Sequence, residues 1–170
     1  MTGGTPARTI RVAQDEGDRA AALQVRYDVF VTEQQVPADL ELDELDETAD
    51  HFVAFDGARA VGAGRLVVEP TGFADADPAL GPVAHLGRLA VRPETRGTAL
   101  GVALVGAIEA RAAERGLRVV ALSAQTHALG FYERLGYTAH GPVFDDAGLP
   151  HRWMTKQLGR ARVVRAALGP

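Results

Sequence analysis

Six residues, Arg96-Gly97-Thr98-Ala99-Leu100-Gly101, join a short apolar run beginning at His85 to a segment with helical periodicity. A strand that passes through small residues into a helix start leaves backbone N–H groups unpaired. The positive end of the helix dipole adds to them, so such a turn is an anion site. The chemistry it suits is the holding of a phosphorylated ligand. No lysine followed by Ser or Thr is present, as a P-loop requires, and the glycine spacing is not that of a dinucleotide-binding turn. Glycine here also serves close strand–helix packing, and that structural role stays open. A second cluster is Ala124-Gln-Thr-His-Ala-Leu-Gly-Phe-Tyr-Glu-Arg-Leu-Gly-Tyr137. Phe131 and Leu135, four apart, predict the buried stripe of a short helix, which turns Tyr132, about 100° away, toward a cleft.

Other chemistries are excluded by what is missing. There is no cysteine, hence no disulfide, thiol nucleophile or thiolate metal site. His51, His85, His127 and His151 lack metal-ligand spacing, so no metal is expected. A net charge of −4 argues against a nucleic-acid partner. No apolar run approaches the ~20 residues that span a bilayer, and the first ten residues hold no apolar signal core. The expectation is a cytoplasmic protein with no membrane partner. At 170 residues it reads as a single domain over 1–170, with 1–8 a flexible leader and 159–170 a tail.

The elements that must position these groups follow from periodicity. Thr9–Ala13 reads as a strand, and a helix runs through Asp18–Phe30 with Leu23, Tyr27 and Phe30 on one face. The stretch from 31 to 50 is acidic and irregular. His51–Phe55 and Ala60–Val68 read as a hairpin around Asp56-Gly57, and 69–84 as a loop. After His85–Val91 comes a helix with Leu100, Leu104, Ala107 and Ile108 in one stripe, capped by Gly116. Leu117–Ser123 is a central strand, His127–Leu135 a short helix, and Tyr137–Phe144 with Pro150–Leu158 a last hairpin. One βαβ unit among hairpins predicts an α/β class fold (α+β, with a mixed sheet) and helices on both faces.

The hexapeptide resembles the pyrophosphate loop of the GNAT acetyltransferase superfamily, written Arg/Gln-x-x-Gly-x-Gly/Ala. Arg96 opens it, Gly101 closes it, and Ala99 stands where the first glycine is usual. That departure matters only if the position needs a positive φ. The second cluster resembles the later motif of the same superfamily, with Gln125 in place of the common Asn and with Ala128, Phe131 and Tyr132 matching. The likeness extends across residues 26–154. Val29-Phe-Val-Thr-Glu-Gln-Gln-Val-Pro37, Glu41-Leu-Asp43, Asp46, His51 and Gly148-Leu-Pro-His151-Arg-Trp-Met154 are similar to the ElaA/YjcF-like branch.

The resemblance implies a central sheet of about six or seven strands, splayed between those at 85–92 and 117–124. It implies acetyl-CoA as co-substrate, held by Leu89, Ala90, Val91, Arg96, Gly97, Thr98, Ala99, Leu100, Gly101 and Val102, and by Gln125, Ala128, Phe131 and Tyr132. The acetyl group would pass to an amine of a small-molecule or peptide acceptor by direct attack in a ternary complex. Tyr132 would donate a proton to the leaving thiolate, and His151 or Glu33 would take one from the amine. The acidic stretch 39–50 either attracts a cationic acceptor or is a solvated rim. Dimers are common in the superfamily, which makes 159–170 a candidate homodimer surface. The alternative function is a non-catalytic acyl-CoA sensor on the same fold.

Overall fold

The computed structural model describes residues 7–69 and 81–159. The chain runs β1 (Arg8–Val12), α1 (Glu16–Arg26), α2 (Ala38–Glu41), β2 (Asp50–Asp56), β3 (Arg59–Glu69), β4 (Val83–Val91), α3 (Leu100–Glu114), β5 (Val119–Gln125), α4 (Leu129–Arg134), β6 (Thr138–Asp146) and β7 (Leu149–Gln157). The strands form one seven-stranded sheet in the order β1-β2-β3-β4-β5-β7-β6. β4 and β5 are parallel and the other neighbours antiparallel, which is the mixed sheet expected.

Helices cover both faces. On one, α1 and the turn after it bury Ala22, Val25 and Val29 against Val53, Ala63 and Ala90. On the other, Leu100, Leu104 and Ile108 of α3 join Phe52, Leu66, Leu86 and Leu122. Glycines let α3 lie close. A Cβ on Gly62 would stand 2.8 Å from Leu104 Cδ1, and one on Gly64 2.8 Å from Ile108 Cδ1. Gly116, at φ 76, ends α3 as expected.

Several boundaries move. Arg8, expected in the leader, opens β1 opposite Asp56. Glu69, Val83 and Ala84, expected in a loop, belong to β3 and β4. Residues 1–6 of the leader, 70–80 of the loop and 160–170 of the tail lie outside the described residues. The inward stripe of α1 is also not the one expected. Tyr27 is exposed, and Arg26 turns inward with Ala22 and Val25 because Glu41 and Asp46 meet it there.

The site depends on how β4 leaves β5. They share two rungs, Ala84–Val120 and His85–Ala121, and then part. β5 stays with β7 along its whole length, while β4 stays with β3. Between β3 and β4 the rung Arg65–Gly87 is followed by Ala63–Ala90, so β4 holds one extra residue there. Arg88 sits in this bulge at φ 52. The bulge reverses the alternation of side chains. Ala84 and Leu86 enter the α3-side core before it, Leu89 and Val91 after it, while Ala90 joins the α1 side. Among the described residues, no helix is long and apolar enough to cross a membrane.

Candidate active site

The hexapeptide lies between the open end of β4 and the first turn of α3. Gly97 (φ 76) and Ala99 (φ 63, ψ 14) are both left-handed, and Ala99 is the residue before the helix. No side chain caps that helix start. The turn's recorded backbone bonds run from Arg96 N–H to Pro93 O (3.3 Å) and from Ala103 N–H to Ala99 O (3.0 Å). The N–H groups of Leu100, Gly101 and Val102 precede the first intrahelical donor and have no carbonyl one turn back. Thr98 Oγ1 donates to Thr95 O (2.5 Å) and accepts from Arg8 (2.7 Å), which braces the turn. The start of α3 thus presents main-chain donors with no intrahelical partner and no side-chain cap.

Two residues there do other work. Arg96, expected at a phosphate, donates to Val91 O at 3.0 Å and to both oxygens of Glu33 at 2.5 and 2.7 Å. Gly101 faces Phe131, whose Cζ would stand 3.3 Å from an added Cβ, so close packing is part of its role. Leu89, Ala90 and Val91 send their side chains into the two cores, which leaves only their main chain to line the gap.

Across the gap, Gln125 Nε2 donates to Gln34 Oε1 at 2.8 Å, tying the end of β5 to the turn after α1. Ala128 and Phe131 are partly buried against the α3-side core. Tyr132 departs from the expected face. It is only 8% exposed and packs edge-on against Phe131 (5.0 Å) and Tyr137 (5.7 Å). Phe131 and Leu135 are the less buried pair. Burial pushes the Tyr132 phenol well above its ordinary value, so it stays protonated. Its hydroxyl makes no hydrogen bond among the described residues.

The two expected proton acceptors differ sharply. His151 pairs with Gln125 across β5 and β7, at the mouth of the gap. Its Nδ1 lies 2.8 Å from Leu149 O, a group that only accepts, so Nδ1 donates and Nε2 carries the lone pair of the neutral ring. Glu33 is held below its ordinary carboxylate value by the hydrogen bond from Arg96, which makes it a poor base.

The acidic stretch is only partly a rim. Glu41 and Asp46 receive the fully buried Arg26, and Asp43 and Asp46 receive Arg65. Arg88 reaches Glu41 and Asp43. Burial alone would raise the Asp46 carboxyl. Hydrogen bonds from Arg26, the Asp43 N–H and Arg65 instead hold it well below the usual range. These carboxylates are already neutralised and cannot draw in a cation. His51 is buried beside them, 2.8 Å from Asp46 O.

Sequence reasoning gave no site role to three residues near the gap. His85 stands at the last β4–β5 rung, its pKa pushed down to about 4 by burial and by Arg65 and Arg88. Ser123 and Trp153 face each other across β5 and β7. The alternation of β5 and the register of the last hairpin carried that signal. Among the described residues, no group of three or more His, Asp or Glu is placed to hold a metal.

The profile of the acetyltransferase (GNAT) domain matches residues 12–158. The chain belongs to the GNAT acetyltransferase family. It is 37% identical over 146 residues to the uncharacterized N-acetyltransferase YjcF of Bacillus subtilis, covering 85% of this chain and 96% of that protein. It is similar to the crystal structure of Escherichia coli ElaA, with a TM-score of 0.70 and 26% identity over 88% of this chain and 98% of that one. An aminoglycoside 6'-N-acetyltransferase crystallised with coenzyme A shares the fold, with a TM-score of 0.67 and 20% identity over 90% and 99% of the two chains. The resemblance to the ElaA/YjcF-like branch is therefore borne out, and this GNAT protein is an acyltransferase.

Proposed function

We propose that this GNAT protein transfers an acetyl group from acetyl-CoA to an amine of a small-molecule or peptide acceptor, by direct attack in a ternary complex. The observation that carries this reading is the parting of β4 from β5 beyond His85–Ala121, directly beside an uncapped helix start. A thin amide-bearing arm fits the free edge of β4 as an added strand would, and a diphosphate fits the turn. When bound, the co-substrate supplies an acyl thioester, already activated for aminolysis.

The chain's residues supply the rest. The amides of Leu100, Gly101 and Val102 take the phosphate charge, and Arg96 joins them once it releases Glu33. A main-chain N–H at the Leu89 bulge polarises the acyl carbonyl. His151 Nε2 accepts the proton that the amine must lose, directly or through water. Tyr132, neutral at any working pH, donates to the departing sulfur.

Incubation with acetyl-CoA and a metabolite extract, read by mass spectrometry, tests the reading. Products heavier by one acetyl group support it, and their absence alongside measurable acetyl-CoA binding refutes it. The sensor alternative draws on the Glu33–Arg96 pair, which holds both residues away from their expected partners. Acetylated product disposes of it.

A further inference from the structure

β5 sends Val120, Leu122 and Ala124 into the α3-side core, so Ser123 and Gln125 point to the opposite, α1-side face. Ser123 lies two residues past the last rung to β4, which puts Gly87 at its level across the opening. That wall has no side chain. A Cβ on Gly87 would meet nothing nearer than Arg65 Nε at 3.8 Å and His85 Nε2 at 3.9 Å. The Ser123 hydroxyl is shut off from solvent and has no hydrogen-bond partner among the described residues. Native structures keep few such groups, because an unpaired buried hydroxyl is destabilising. This one lies where the strands begin to separate, at the closed inner end of the gap, which must widen for an entering group to reach it.

The same face continues as a row of rings. Trp153 is the β7 residue opposite Ser123. Phe144 stacks on Trp153 (centroids 5.1 Å apart, 28° between planes) and on His151 (6.1 Å, 26°). All three rings are half-buried. In the buried cluster on the Arg65 side of Gly87, Arg26, Arg65 and Arg88 are matched by Glu41, Asp43 and Asp46. That cluster has no surplus carboxylate to hold a second ammonium group.

We infer that this face holds the acceptor, that Ser123 Oγ takes a hydrogen bond from its amine, and that the acceptor is a primary amine bearing a flat unsaturated ring and no second basic group. This rests on the transferase reading and names its substrate class. Ser123 would fix the nitrogen so that its lone pair points at the acyl carbon. The C–N bond forms, the C–S bond breaks, and one amine proton is balanced by protonation of the thiolate.

Trp153 is the only tryptophan in the chain, so its fluorescence reports occupancy of the row without any turnover. The full chain, saturated with coenzyme A, is titrated with 2-phenylethylamine, hexylamine and spermidine. The expected result is saturable binding of 2-phenylethylamine about five-fold or more tighter than hexylamine, the margin of one aromatic contact. Spermidine binds no better than hexylamine. Ser123→Ala weakens 2-phenylethylamine about five-fold, and Phe144→Ala abolishes the preference over hexylamine. Acetyl-CoA affinity, measured in parallel, shows that each variant is folded.

Equal or tighter binding of hexylamine or spermidine overturns the assignment, and so does 2-phenylethylamine binding unchanged in both variants. Acetylation of hexylamine but not of 2-phenylethylamine overturns it while leaving the transferase reading standing. Failure to bind acetyl-CoA overturns the transferase reading, and the Trp153 titration without coenzyme A then still decides whether the row prefers rings.

Discussion

Arg96 grips both carboxylate oxygens of Glu33 at 2.5 and 2.7 Å, so a side chain suited to a phosphate and one suited to an amine neutralise each other across the mouth of the gap. The pair is 44% and 37% exposed. An ion pair this open contributes about 0–1 kcal/mol, little enough for an incoming diphosphate to displace.

Glu33→Gln therefore frees Arg96 at small cost. Acetyl-CoA should bind up to about five-fold tighter by calorimetry, with folding stability changed by less than about 1 kcal/mol. Turnover should stay within a few-fold, since a carboxylate held below its ordinary value is a weak base. A fall of about 10²-fold or more in turnover would instead make Glu33 the base.

The buried cluster predicts acid sensitivity. Arg26 is 0% exposed and meets Glu41 and Asp46 at 2.7 Å each. Arg26→Ala leaves two buried carboxylates short of a partner and should destabilise the fold by about 3–5 kcal/mol in urea melts. Replacing Arg26 together with Asp46 should be milder than the sum of the single changes. Asp46 has a folded pKa below its unfolded one, so its contribution is present above about pH 4 and is lost as pH falls below that. Thermal melts of the wild type from pH 6 to pH 3 should drop in that window. A flat profile would place the cluster's stabilising role elsewhere.

The sheet and the turn from β4 into α3 were legible because their signals are local. Period-two alternation, the Asp56-Gly57 turn and small residues before a helical stripe each act within a few residues. The pairings Glu33–Arg96, Arg26–Asp46 and Gln34–Gln125 were not legible. They join residues far apart in sequence, and no period records them. Tyr132 misled for a related reason. A helix of six residues presents less than two turns, so the neighbouring Tyr137 and the core behind it, rather than the 3.6-residue stripe, decide which ring is buried.

Tyr132→Phe tests the proton donor. The ring stays in the core and its hydroxyl has no partner to lose among the described residues, so stability should change little. Turnover should fall about 10²-fold with acetyl-CoA affinity nearly unchanged. Because burial raises the phenol, wild-type activity should show no alkaline limb from Tyr132 near its ordinary value of about 10. Unchanged turnover in the variant would remove Tyr132 from the chemistry.

Ala99 occupies the left-handed position where the family motif usually has glycine, so the substitution noted in the sequence does carry a cost. A non-glycine residue there is strained by about 1–2 kcal/mol, partly offset by the greater freedom glycine has when unfolded. Ala99→Gly should thus stabilise the protein by about 0.5–1 kcal/mol, a rise of roughly 2–4 °C in Tm at the upper end. The backbone is already in place, so acetyl-CoA affinity should not move by more than about two-fold. A loss of stability would mean that the turn relaxes away from φ 63 in solution.

The proposed placement of the diphosphate can be tested apart from the stability of α3. Val102 is exposed in the first turn of α3. A carboxylate there complements the helix dipole and should add about 0.3–1 kcal/mol to stability. The same charge opposes an anion bound at that helix start, so Val102→Glu should weaken acetyl-CoA binding while raising Tm. The opposed signs exclude general damage as the cause. Acetyl-pantetheine, which lacks the diphosphate, should bind both proteins equally. If acetyl-CoA also binds both equally, the phosphates lie somewhere other than the start of α3.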